Sequence, residues 1–193
     1  MSKNIQIQQD NLLNAYKNAS SEQRELLEHL FGSEVFKPKD VRERIKTFHD
    51  ACCALGNEHP FVVSYEKYVN TASGEEADVI AYLQLRIITA ALNEGWEPQF
   101  VPGEYRWAPY FVLYTKEEIE KMNAQTKARV VFRSSSYAHA NGGVSYADAG
   151  YDSAHVSAFF GSRLAFKSEE LAEYAGKQFL EIYADLCFIP NKQ

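Results

Sequence analysis

The chain has little cysteine: three residues in 193, at Cys52, Cys53 and Cys187. An odd count with an adjacent pair argues against a disulfide framework, and without any CxxC spacing a thiolate zinc site is not expected. Such thiols suit a reducing compartment. No run of about 18 apolar residues occurs, so no membrane span is expected. The opening residues, MSKNIQIQQDNLLNAY, lack the apolar core of a signal peptide. Together these features predict a cytoplasmic protein. Dense Lys/Arg runs are missing too; the nearest, Lys37 to Lys46, is interrupted by Asp40 and Glu43. With a net charge of −6 and a pI near 5.4, the surface repels a phosphate backbone, which disfavours nucleic-acid binding. The phosphate-binding patterns GxxxxGKS/T and GxGxxG are absent, as is the GxSxG nucleophile elbow.

What is present is unevenly distributed. Of 26 aromatic residues, eight precede Trp96 and 18 lie from Trp96 onward. That predicts a helical first half and an aromatic-packed β region in the second. Within the first half, Ser20 with Gln23 forms a capping box for a helix striped by Leu26, Leu27, Leu30 and Phe31. Asp40 with Glu43 reads as the start of another, striped by Val41, Ile45, Phe48, Cys52 and Leu55 and ended by Gly56. Pro60 begins a short helix. Ser73 with Glu76 opens a helix over 75–94 that is apolar around most of its circumference, the mark of a central, buried element.

From Trp96 the pattern changes. Pro98, Pro102 and Pro109 forbid a helix. Trp107 to Thr115 and Ala128 to Arg133 read as strands, with a short helix opened by Thr115 and Glu118 between them. His155 to Phe160 and Arg163 to Phe166 read as two more strands. Ser168 caps a last helix, striped by Leu171, Ala175, Phe179, Ile182 and Leu186. The order predicts an α+β fold: a helical N-terminal portion, a small antiparallel sheet, and a C-terminal helix packed on it. Residues 1–35 are expected to be a helical segment loosely attached to an α+β domain over 36–193.

The stretch from Ser134 to Ser162 is the most unusual part of the chain. Its 29 residues hold seven Ser, six Ala, four Gly and three Tyr, with only Asp148 and Asp152 charged. Asn141-Gly142 is a hairpin turn signal. Ser134, His139, Asp148, Asp152 and His155 include the residue types of a catalytic triad or a two-His, one-carboxylate metal site. Seven serines place Ser near His by chance, and the spacing matches no known metal motif. No catalytic residue, metal or cofactor is therefore assigned. Tyr and Ser are suited instead to adaptable contacts at low entropic cost. The expected binding residues are Arg133, Tyr137, His139, Asn141, Tyr146, Tyr151 and Arg163. Arg133 and Arg163 bracket the segment.

The strings LLEHLFGSEVFKPKDVRERIKTFHDACCALG, AYLQLRIITAALNEGW and GSRLAFKSEELAEYAGKQFLEIYADL resemble a group of uncharacterised proteins encoded by tailed phages and integrated elements of gut anaerobes. The resemblance is densest over Ala81 to Trp96 and Gly161 to Leu186, and includes the ANGG at Ala140 to Gly143. It implies a mobile-element gene in a bacterial cytoplasm and carries over no functional residue.

The reading that follows is a non-enzymatic binding or assembly protein using the 134–162 segment, with a protein partner or self-association. Two alternatives stand beside it. One is a nucleic-acid binder using sheet aromatics and arginines, with Trp96, Trp107, Tyr110, Arg106, Arg133 and Arg163 as candidates. The other is a small hydrolase-like enzyme with a site near Arg133, His139 and Arg163.

Overall fold

A computed structural model describes residues 7–71, 76–99, 101–133, 142–153 and 161–187. The chain divides into two compact units, Met1–Arg44 and Ile45–Gln193.

The first unit holds α1 (Gln9–Lys17), α2 (Ser21–Phe31), a 3₁₀ turn (Ser33–Phe36) and α3 (Val41–Arg44). The Ser20–Gln23 capping box forms as the sequence predicts. Arg24 ties α2 back to α1 by donating to the carbonyls of Tyr16 (3.1 Å) and Lys17 (3.0 Å) at the end of α1. The Tyr16 ring stacks on buried Phe36 at 4.2 Å, and Phe31 meets Phe36 edge-on at 6.5 Å. This is a small aromatic core. The α2 stripe is only partly used, since Leu26 and Leu30 stay 58% and 63% exposed.

The second unit begins with a departure from expectation. The single helix predicted from Asp40 is two pieces, α3 and α4 (Phe48–Leu55). Asp40 accepts from the backbone N of Arg42 (2.9 Å) and pairs with the Arg42 guanidinium instead of forming a box with Glu43. Residues Ile45 and Lys46 leave the helix because distant side chains take their carbonyls. Tyr174 Oη donates to Ile45 O at 2.7 Å, and Gln178 Nε2 to Lys46 O at 2.7 Å. Thr47 and Asp50 then make the true capping box of α4.

Next come α5 (Pro60–Val69), with Pro60 in its first turn, and α6 (Ala77–Asn93). Ser73 lies outside the described residues. Helix α6 is the buried centre of this unit: Leu85, Ile87, Ile88 and Leu92 are fully enclosed. It packs against α4, α5 and the C-terminal helices. It ends where Glu94 takes a left-handed conformation ahead of Gly95.

Among the described residues the sheet has three antiparallel strands in the order β1 (Tyr105–Thr115), β3 (Gly142–Ser153), β2 (Val131–Arg133). The short helices α7 (Lys116–Lys121) and α8 (Ala124–Lys127) join β1 to β2. The Thr115–Glu118 capping box forms at the start of α7. After β3 the chain makes a 3₁₀ turn (Ser162–Leu164), then α9 (Glu169–Gln178) and α10 (Leu180–Cys187). The predicted C-terminal helix is thus interrupted at buried Phe179. Both halves pack on the sheet, and the α+β architecture is as the sequence predicts.

Two strand expectations need comment. His155 to Phe160 lies outside the described residues. Arg163 to Phe166 is not a strand: the 3₁₀ turn is followed by one bridge, in which Phe166 N donates to Trp107 O at 2.8 Å and Trp107 N to Phe166 O at 3.0 Å. The buried Asn93 amide supplies the partners that a second strand would have given. Its Nδ2 donates to Ala165 O (2.8 Å), and its Oδ1 accepts from Lys167 N (3.1 Å).

Candidate functional site

The 134–162 segment is not one surface loop. Its middle, Gly142–Ser153, is the central strand of the sheet. That strand is 12 residues long, whereas β2 has three and pairs only with Gly142, Gly143 and Val144. On the β2 side, residues 145–153 therefore have no strand neighbour among the described residues. An unpaired strand edge is a template for another chain.

This open edge lies in a groove of about 930 Å³. Its floor is Tyr146, Ala147 and Asp148. Residues 128–132, running into β2, form one wall; Glu169, Glu173 and Lys177 of α9, with Leu180 and Glu181 of α10, form the other. The register places a bulge here: Tyr110 pairs with Asp148 and Phe111 with Tyr146, which leaves Ala147 as the extra residue. A bulge bends its strand and redirects side chains, and is common beside functional sites.

Tyr146 is held in place from several sides. Its ring meets Phe111 edge-on at 6.4 Å, and the Lys177 ammonium sits 5.1 Å from its centroid. Helix α9 approaches so closely that only a glycine fits beneath the ring: a Cβ at Gly176 would lie 2.6 Å from Tyr146 Cδ2 and 2.7 Å from Pro109 Cβ. Phe111 in turn packs on buried Tyr183 at 4.7 Å.

The electrostatics of the groove are negative. Asp148, Glu169, Glu173 and Glu181 line it together with Arg129 and Lys177, four carboxylates against two cations. Lys177 is already paired with Glu173 one turn earlier. Burial, and then the charges of Glu173, Asp148 and Glu169, push the Tyr146 phenol up to about 12. Burial is the larger cause; the part due to the three carboxylates reflects a negative field, which also attracts cationic side chains.

The other predicted residues are scattered. Tyr151 lies further along β3, 58% exposed, in ring contact with Tyr105 (4.8 Å) and Trp107 (4.9 Å). Arg133 ends β2 opposite Gly142. Arg163 sits on the 3₁₀ turn, exposed, at the mouth of a separate cavity. Tyr137, His139 and Asn141 lie outside the described residues. Tyr146 thus belongs to the groove, while Tyr151 and Arg163 do not. The residues missed from sequence are Ala147, Lys177, Glu173 and Leu180; the one available signal was Gly176, an unforced glycine inside an amphipathic helix.

Arg106, offered as a surface cation, is buried and donates to Ser162 Oγ at 2.9 Å. His29 and His49 are exposed. Among the described residues no group of three or more His, Cys, Asp and Glu could hold a metal ion, and no helix is long and apolar enough to cross a membrane. No protein-family model, curated protein or solved structure matches the chain.

Proposed function

We propose that this protein is a non-enzymatic binding or assembly module, of the phage- and mobile-element-encoded kind that its sequence resembles. Its ligand is an extended, cationic segment of a protein partner. The observation that carries this reading is the edge of β3 at Tyr146–Ala147–Asp148, unpaired among the described residues and lying in an acidic groove of about 930 Å³ between β2 and the α9–α10 pair. A strand added to such an edge gains main-chain hydrogen bonds, and a groove beside it selects alternate side chains. The excess of carboxylates favours Lys and Arg at those positions and disfavours acidic segments.

The test is fluorescence anisotropy with labelled peptides of alternating Val-Lys and Val-Glu sequence. The Val-Lys peptide binds saturably and the Val-Glu peptide does not. Ala147→Arg places a long cation on the exposed floor and abolishes binding while leaving the circular dichroism spectrum unchanged. Equal binding of both peptides, or full binding by the Ala147→Arg variant, would sink the proposal. Light scattering addresses self-association: a concentration-dependent dimer abolished by Ala147→Arg would make a second copy the occupant.

A second reading has one observation in its favour. Tyr105, Trp107 and Tyr151 form a ring cluster in which Tyr105 and Tyr151 are 49% and 58% exposed. Nucleic-acid bases stack on such rings. The net charge of −6 and the enclosure of the neighbouring Arg106 weigh against it. Filter retention of a single-stranded oligonucleotide at low salt, lost on Tyr151→Ser, would support it; no retention would eliminate it.

A further inference from the structure

Apart from the groove, the second unit encloses a cavity of about 470 Å³ between the 3₁₀ turn, the end of α6 and the loop that follows. That volume falls within the range of about 300–1,000 Å³ usual for small-molecule sites. Its walls include Phe61, Arg86, Thr89, Trp96, Glu97 and Arg163.

Three polar groups on these walls lack counterparts. Arg86 lies in the middle of α6, between the buried Leu85 and Ile87. Its guanidinium lies 4.1 Å from the Phe61 ring centroid and 5.8 Å from that of Tyr82, which fixes its position. Its Nε is nevertheless enclosed without a hydrogen-bond acceptor, and it has no carboxylate partner among the described residues. Thr89, one turn along, is 2% exposed. Its Oγ1 has no hydrogen-bond partner among the described residues, not even the carbonyl one turn back that helical threonines commonly use. Arg163 stands at the opening, likewise without an ion pair among the described residues. An unpaired hydroxyl inside a protein is destabilising, so its retention beside two cations in a formed cavity calls for a ligand.

We infer that this cavity binds a small organic monoanion: a carboxylate carried on an aromatic ring. The carboxylate is received by Arg86 and Arg163, with a hydrogen bond donated from Thr89 Oγ1, and the ring lies against Trp96 and Phe61. Guanidinium groups suit carboxylates because their planar donors match two oxygens at once. Glu97 lowers the formal charge of the lining to a single positive one, which selects a monoanion over a dianion. The site is independent of the groove.

The test is isothermal titration calorimetry of the full chain with benzoate, 4-hydroxybenzoate, indole-3-acetate and 2-naphthoate, each beside its neutral amide, and with inorganic phosphate. At least one carboxylate binds saturably at one site per chain, at least tenfold tighter than its amide and tighter than phosphate. Arg163→Met, at an exposed position that leaves the fold intact, weakens it at least tenfold. Thr89→Val weakens it as well. Absence of binding by all four carboxylates, an amide or phosphate binding as tightly, or unchanged affinity in Arg163→Met overturns the inference.

Discussion

Replacing Gly176 by alanine sets two effects against each other. In an isolated helix the change is favourable by about 1 kcal/mol, because glycine loses more backbone entropy than alanine. Here the new methyl would meet Tyr146 Cδ2 at 2.6 Å, Pro109 Cβ at 2.7 Å and Tyr146 Cε2 at 2.9 Å. Carbon atoms in ordinary contact stand about 3.5–4.0 Å apart, so α9 and the sheet would have to separate by roughly 1 Å. Neither neighbour yields easily: Pro109 is a buried, rigid ring, and Tyr146 is backed by Phe111. Overpacking of this kind costs about 1–3 kcal/mol. Taking the upper figure for two blocked contacts and subtracting the propensity gain leaves about 2 kcal/mol of net destabilisation. Urea unfolding followed at 222 nm reads it directly, with a lower midpoint and an unchanged slope. The corresponding loss in Tm is about 4–8 °C for a chain of this size. Gly161→Ala is the control, since nothing lies within 4 Å of its Cβ position and its φ of −62° is an ordinary one; its stability should move by less than about 0.5 kcal/mol. A Gly176→Ala protein as stable as the parent, or more so, would refute the close approach of α9 to Tyr146.

Three further outcomes follow from the same contacts. Asn93→Ala removes the partners of Ala165 O and Lys167 N and should cost about 3 kcal/mol in urea unfolding, because two enclosed backbone groups lose their bonds. A cost below about 1 kcal/mol would mean that segment 165–167 is held by something else. Tyr183→Phe removes a buried hydroxyl that has no hydrogen-bond partner among the described residues. It should leave stability unchanged or raise it by about 1 kcal/mol, whereas a loss larger than that would show that the hydroxyl is bonded. Tyr146 is an acid whose folded value, about 12, lies above its ordinary value of 10.0. Its neutral form therefore contributes stability that is complete below about pH 10 and is lost as pH rises toward about 12. Absorbance titration at 295 nm, compared between the parent and Tyr146→Phe, should assign this phenol to the late-ionising fraction; ionisation near pH 10 would contradict its enclosure by the carboxylates.

Much of the fold is legible in the sequence because it is local. The boxes at Ser20–Gln23 and Thr115–Glu118, the cap at Ser168 and the apolar circumference of α6 are all set by residues within a few turns of one another. What escapes is set at long range. The break at Ile45–Lys46 depends on Tyr174 and Gln178, 129 and 132 residues away. The stripe of Val41, Ile45 and Phe48 reads as one helix only while those side chains are ignored. The unstranded path of Arg163 to Phe166 likewise depends on Asn93, more than 70 residues earlier. The segment from Ser134 to Ser162 stands out by composition. Gly150, however, lies within a strand, where Tyr110 packs closely over it. Of the binding residues read from composition, Tyr146 reaches the groove because it faces Gly176. The bulge at Ala147 and the shortness of β2 are properties of strand pairing, which no single segment encodes.

A strand added at Tyr146–Asp148, the part of the β3 edge unpaired among the described residues and facing the groove, is what the proposed function requires. Amide hydrogen exchange at Ser145 to Ala149, with and without the Val-Lys peptide, tests this most directly. In the free protein the amides directed away from β1 should exchange fast, and those same amides should exchange slowly when the peptide is bound. Protection of the whole stretch in the free protein, or no change on adding a saturating concentration of peptide, would contradict it.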